Sequence, residues 1–400
     1  MKHAGDGPQR FSTRLYLLSA MSFLVFAGAG AQQAYLVPYL GRVTDFSDVQ
    51  CASVLAAVYF SMLVFRIVNV YVFAGWSDRR MTIVGGLTYL LFTLVMYTMA
   101  VFQSYAFALT AAVLWGVGAS MMWCGTAMQT LAVSDSAGGR HGTGMGILYS
   151  STHAGWAAGA VVLGLVYQNL TVETSALMCA VAAAITLGGN IISFFIPATG
   201  RVHRERPRLA GLWAMIVAPK AAISGMLQFA SALGYGLVLG VFSSYVEDRF
   251  GPQWITRSIW MYPATRMVLS FWGGYLADRI GHTPVLVAGF AVGALGLVVT
   301  LMWVSPVAVL LTVGALALLG STVPVVAAAM VGDAADIERR PIAYGIVFAW
   351  RDLGVAVAAI GASILGVTFD FNVVLQVFII IFAACGVLSV YLGRFTGQKL

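Results

Sequence analysis

The sequence predicts an all-α membrane protein of twelve spanning helices arranged as two pseudo-symmetric six-helix bundles. Three observations carry this. The 400-residue chain is 60% hydrophobic and 9% charged, with a mean hydropathy of +0.88. A soluble domain cannot cover itself with so few polar side chains, whereas lipid solvates an apolar surface. Apolar runs of spanning length recur along the whole chain, separated by short polar loops. The halves also repeat. Arg66 and Arg266 are 200 residues apart, each in apolar sequence and each 12 residues before an Asp-Arg pair, Asp78-Arg79 and Asp278-Arg279.

The helices, numbered α1 to α12, are expected near 15–40, 49–73, 82–102, 106–131, 143–168, 174–197, 217–244, 254–276, 284–303, 306–331, 343–368 and 372–394. The run opening α1 is too long for a signal-peptide core, so it is read as the first span. Residues 1–14 form a tail, 15–197 the first bundle, 198–216 a linker, 217–394 the second bundle and 395–400 a closing tail. Polar groups inside α1 (Gln32, Gln33, Tyr35) and at rough counterparts in α7 (Gln228, Tyr235) are candidates for a cavity wall, with Trp115, Trp123 and Gln129 of α4. Gly155, Gly159 and Gly164 of α5 read as close-packing positions. Pro263 in α8 and Pro324 in α10 are expected to bend their helices.

Sixteen Lys and Arg residues fall in one set of loops and tails, and three (Arg42, Arg249, Arg257) in the other. The positive-inside rule then places both termini in the cytoplasm, and the minimal loops point to a bacterial inner membrane. The sequon at Asn169 is discounted because it hugs the membrane. Cys51, Cys124, Cys179 and Cys385 are scattered without a CxxC, so neither a disulfide framework nor a metal site is expected. No phosphate-cradling glycine-lysine loop, zinc-protease helix or nucleophile elbow occurs, which excludes ATP-driven pumping within this chain and hydrolysis. No cofactor, metal or nucleic-acid partner is expected; the partners are a small solute and the bilayer, and the chain is read as a monomer.

The loop between α8 and α9 reads Gly274, Asp278, Arg279, Gly281, then His282; that between α2 and α3 keeps Asp78-Arg79 but has Ala74, Met81 and Thr82 elsewhere in the pattern. Together with twelve helices and the duplication, these residues resemble the major facilitator superfamily. The resemblance covers the whole chain. It implies a non-enzymatic carrier that alternates access between two bundles, with Asp78, Arg79, Gly274, Asp278, Arg279 and Gly281 as gating residues. α4 lacks the intramembrane arginine of many proton-coupled members, and α5 lacks the antiporter glycine-proline pattern.

Arg66 and Arg266 sit at mid-depth, roughly 18 Å from their Asp-Arg pairs at ~1.5 Å per residue. A buried arginine costs about 2.5–3.5 kcal/mol on insertion scales, which points to a task or a partner. The pair resembles that of nitrate/nitrite porters, and the α8 arginine that of monocarboxylate and oxalate carriers, implying an anion site at which the two face each other. Bracing of neighbouring helices is the competing role. His153 and Asp352 each lie 13 residues after a loop arginine, Arg140 and Arg339. The resemblance sets α5 beside α8 and α11 beside α2, hence His153 near Arg266 and Asp352 near Arg66, as proton-coupling candidates. Arg351 points about 100° from Asp352. The expected function is secondary transport of a small solute, an anion by preference, with proton coupling open. A scaffold or sensor, or a carrier of an anionic metal chelate or drug-like solute, are the alternatives.

Overall fold

A computed structural model describes residues 12–168, 171, 173–198, 219–239, 241–250 and 252–393. Most of the 1–14 tail, nearly all of the 198–216 linker, the 395–400 tail and Asn169 lie outside the described residues.

Twelve helical units of membrane length occur among them. α1 is Thr13–Val25, a π-helical turn Phe26–Gly30, and Ala31–Val43; α2 is Asp48–Val72, α3 Asp78–Phe102, α4 Tyr105–Ser136, α5 His141–Gln168 and α6 Ser175–Ser193. In the second half α7 is Pro219–Leu239 and Val241–Phe250, α8 Pro252–Ile280, α9 His282–Met302, α10 Pro306–Ala334, α11 Arg340–Thr368 and α12 Phe371–Gly393. Ten of these are long and apolar enough to cross a bilayer on composition; α5 and α8 are the remaining two.

Local chemistry sets the ends. Ser47 and Gln50 form a capping box on α2, while Ser77, Ser104 and Ser305 accept backbone N–H groups at the starts of α3, α4 and α10. Gly281, at φ 90°, makes the sharp entry to α9 that a side chain would oppose. α4 runs to Ser136, past the expected 131, and its 32 residues span about 48 Å, longer than the ~30 Å apolar core. A helix of that length tilts or overhangs the core.

Packing repeats between the halves. In the first, α1 packs on α5 and α6, α2 on α4, and α3 on α4 and α6; in the second, α7 packs on α11 and α12, α8 on α10, and α9 on α10 and α12. The bundles meet chiefly through α5 against α8 and α2 against α11. Glycines permit the close approaches. A Cβ on Gly155 would lie 2.0 Å from the Phe23 carbonyl oxygen, and one on Gly159 2.0 Å from that of Ala27. The π turn shifts the helical register of α1, and Thr186 Oγ1 of α6 accepts the Ala29 N–H there at 2.9 Å.

Candidate functional site

A narrow cavity of about 50 Å³ lies between the bundles. α1 contributes Phe26, Gly30 and Gln33; α2 Val58, Tyr59 and Met62; α4 Trp115, Ala119 and Trp123; α5 Tyr149, Thr152, His153 and Trp156. Tyr89, Tyr235, Arg266 and Arg351 complete the wall. It is aromatic, holds two guanidiniums, and among the described residues includes no carboxylate.

The two symmetry-related arginines have different surroundings. Arg66 lies behind the wall, paired with a carboxylate. Its Nε donates to Asp352 Oδ2 and its Nη2 lies 3.4 Å from Asp352 Oδ1. Both side chains are buried, and the guanidinium stands over the Phe348 ring. Arg66 and Arg266 therefore do not face each other across the cavity: a buried carboxylate holds the first against α11. Arg351 takes the open place instead. It lines the cavity and keeps its Nη1 3.8 Å from Asp352 Oδ1.

Arg266 is on the wall and has only neutral partners. Its Nη2 donates to the Gly320 carbonyl at 2.6 Å, and its guanidinium stands over the Tyr262 and Tyr235 rings at 5.3 and 5.9 Å. The seat is written into α10. Pro324 has no N–H, so the carbonyl four residues earlier, that of Gly320, lacks its helical donor. Arg266 supplies one. Gly320 must also stay small, because a Cβ there would meet Tyr262 Oη at 2.5 Å. Arg266 Nε and both ring nitrogens of buried His153 have no hydrogen-bond partner among the described residues.

Other candidates go elsewhere. Gln32 donates to Cys179 Sγ at 3.3 Å, Tyr35 to the Ala160 carbonyl at 2.8 Å, and Gln228 to the Val323 carbonyl at 3.4 Å. All three bind neighbouring helices within their own bundle, as does Gln129, which donates to Thr82 Oγ1. Gln33 and Tyr235 reach the cavity, the latter accepting from Tyr59 Oη at 3.4 Å. Sequence reasoning missed Arg351, Tyr59, Tyr149 and Trp156. A signal existed for the last two: Tyr149, His153 and Trp156 follow i, i+4, i+7 spacing and so share a face of α5.

At the basic face, the end of the molecule bearing Arg79, Arg140, Arg279 and Arg339, the bundles are sewn together. Asp278, at the end of α8, accepts the Gly142 N–H at 2.9 Å, the Thr143 N–H at 2.7 Å and the Thr143 hydroxyl at 2.6 Å, all from the start of α5. A carboxylate on a helix N-terminus satisfies orphan donors and the helix dipole together. Gly274 lets this happen, since a Cβ there would lie 2.1 Å from the Gly142 carbonyl oxygen. The first copy differs: α11 has Pro341, without an N–H, where α5 has Gly142. Arg340 instead grips Asp135 at 2.6 and 3.0 Å. His141 bridges Asp333 (2.6 Å) and Asp135 (2.9 Å). Burial opposes charging of this imidazole, but its bonds to the two carboxylates prevail and raise its pKa. Arg79 donates to the Phe194 carbonyl, Arg279 lies over Tyr275, and Asp78 is buried at the start of α3. The asymmetry gives an expected result. Asp278→Asn, losing charge-assisted bonds of about 1.5–3 kcal/mol, slows transport about tenfold or more at equal membrane abundance, and Asp78→Asn slows it less. Equal or reversed rates would show that the first loop carries the main contact.

The long apolar helices and the fold define a multi-pass membrane protein. Residues 224–397 match the family model of the Major Facilitator Superfamily, and no curated protein sequence matches the chain. Similar solved structures include FucP, a Major Facilitator Superfamily transporter in the outward conformation, 12% identical over 94% of this chain and 98% of that one with a TM-score of 0.75. The human organic anion transporter MFSD10 (TETRAN) is 13% identical, covering 96% and 100%, with a TM-score of 0.73. A bacterial homologue of the iron transporter ferroportin in an outward-facing state is 13% identical, covering 96% and 100%, with a TM-score of 0.72. The second half of this chain thus matches that superfamily by sequence, and the chain as a whole shares the fold of these structures.

Proposed function

We propose that the protein is a secondary active transporter of an organic anion, working by alternating access. One observation carries the reading: Arg266 is a buried cation on the cavity wall whose partners are a carbonyl and two aromatic rings. Three guanidiniums, Arg66, Arg266 and Arg351, converge with one carboxylate, Asp352. The surplus is positive, and an anion resolves it. A cation would meet two arginines, Arg266 without an acid and Arg351 sharing Asp352 with Arg66, and no acidic wall residue among the described residues. Asp352 is the group we assign to proton coupling, because an anion reaching Arg351 competes with it for the same cation. The charge asymmetry of the loops supports a cytoplasmic basic face, and the sewn contacts there support a state closed to the cytoplasm.

The test is a thermal-shift screen of the purified protein, since a ligand of the native state raises its melting temperature. Organic anions are expected to raise it, and matched cations and neutral analogues to leave it unchanged. A response to cations alone refutes the anion reading. Absence of solute flux in proteoliposomes, despite binding, would favour the sensor alternative.

The seat of Arg266 adds an expected result. Pro324→Ala restores an N–H that claims the Gly320 carbonyl and competes with Arg266. Interior proline costs a helix about 3 kcal/mol, so the melting temperature should hold or rise while anion affinity falls severalfold in a titration. Unchanged affinity would mean the carbonyl does not position Arg266.

A further inference from the structure

We infer that the anion is a carboxylate carried on a flat aromatic ring; this rests on the anion reading above and narrows it. The cavity has two chemically distinct parts. Arg266 and Arg351 form the cationic part, and a guanidinium suits the planar, two-oxygen face of a carboxylate. The other part is a run of rings. Trp123 stacks on Tyr149 with centroids 5.4 Å apart and planes at 27°. Tyr149 leads through His153 to Trp156, at 6.2 and 6.3 Å. Trp156 meets the second bundle edge-on at Tyr235, at 5.8 Å and 89°. The run therefore crosses between bundles along the wall that ends at Arg266, which stands over Tyr235.

His153 joins the two parts. It is 4% exposed, and neither ring nitrogen has a partner among the described residues. A neutral imidazole there offers one N–H, which a carboxylate oxygen held by Arg266 can accept. An inorganic ion such as nitrate would leave the aromatic faces of the wall unmatched. A neutral solute would leave the charges of Arg266 and Arg351 without a counter-ion from the solute. Ring faces favour edge-on or offset aromatic contacts over saturated ones of equal size.

Trp123 and Trp156 line the cavity, so intrinsic fluorescence reports occupancy. The full-length purified protein is titrated with benzoate, cyclohexanecarboxylate, acetate and benzyl alcohol, with melting temperature as an independent readout. Benzoate is expected to bind about tenfold more tightly than cyclohexanecarboxylate or acetate, and benzyl alcohol not to bind. Trp156→Leu should collapse the benzoate preference, and Arg266→Gln should remove binding of both carboxylates. If Trp156→Leu does not fold, Tyr149→Leu makes the same test. Equal affinities for benzoate and cyclohexanecarboxylate, both lost in Arg266→Gln, overturn the ring inference and leave the anion reading standing. Benzyl alcohol binding as well as benzoate, or no carboxylate binding to folded protein, overturns the anion reading and this inference with it.

Discussion

Asp352→Asn is expected to strip most of the folded protein from the membrane, and adding Arg66→Gln to restore its abundance. The single change leaves Arg66 buried without its anion and removes the neighbour of Arg351 at the same stroke. Breaking one side of a buried pair costs about 3–5 kcal/mol, a large share of a typical ~5–15 kcal/mol of stability. Neutralising both partners removes the uncompensated charge, and such replacements are close to neutral. Fluorescence-detected size exclusion of tagged variants measures this directly. Full abundance of Asp352→Asn alone would show the pair to be dispensable for folding. The double variant also tests coupling. It should retain downhill exchange and lose accumulation driven by a pH gradient, because an amide cannot cycle a proton. Accumulation that survives removes Asp352 from the coupling role.

Arg266→Lys should reduce uptake of the proposed anion at least a hundredfold with abundance unchanged. Lysine keeps the charge, so the bilayer cost is similar, but a point charge cannot hold the Gly320 carbonyl, lie over two rings and present a planar fork at once. Arg66→Lys should behave differently, lowering abundance more than the rate of the protein that remains, because Arg66 faces Asp352 and not the cavity. Uptake by proteoliposomes loaded with equal folded protein separates the two. Wild-type kinetics in Arg266→Lys would end the case for this residue as the anion contact.

The halves differ most where their sequences look most alike. Arg66 and Arg266 share a depth, a spacing and a loop motif, yet one is neutralised by an acid from α11 and the other is seated on a carbonyl freed by Pro324. The loops diverge too: Asp278 finds two backbone N–H groups and a hydroxyl, whereas Pro341 denies the first copy the matching donor. Functional asymmetry thus rests on two prolines of ordinary appearance. Both were visible in the sequence; Pro324 was read as a bend and not as a device that liberates an acceptor.

The sequence by itself determined the membrane class, the twelve helices and the duplication, because lipid demands long apolar runs with internally satisfied backbones and little else produces them. It also identified the intramembrane charges, since so few polar side chains occur in those runs. Only the tertiary structure decided which of them face the cavity. A polar side chain inside a bundle can turn to a neighbouring backbone as readily as to a central space. Gln32, Tyr35 and Gln228 took the first course, and Gln33 and Tyr235 the second. One residue turns a helix by about 100°, and the π turn in α1 shifts that phase midway. Adjacent Arg351 and Asp352 therefore part company, one to the wall and one to Arg66, and nothing short of the packed helices specifies which.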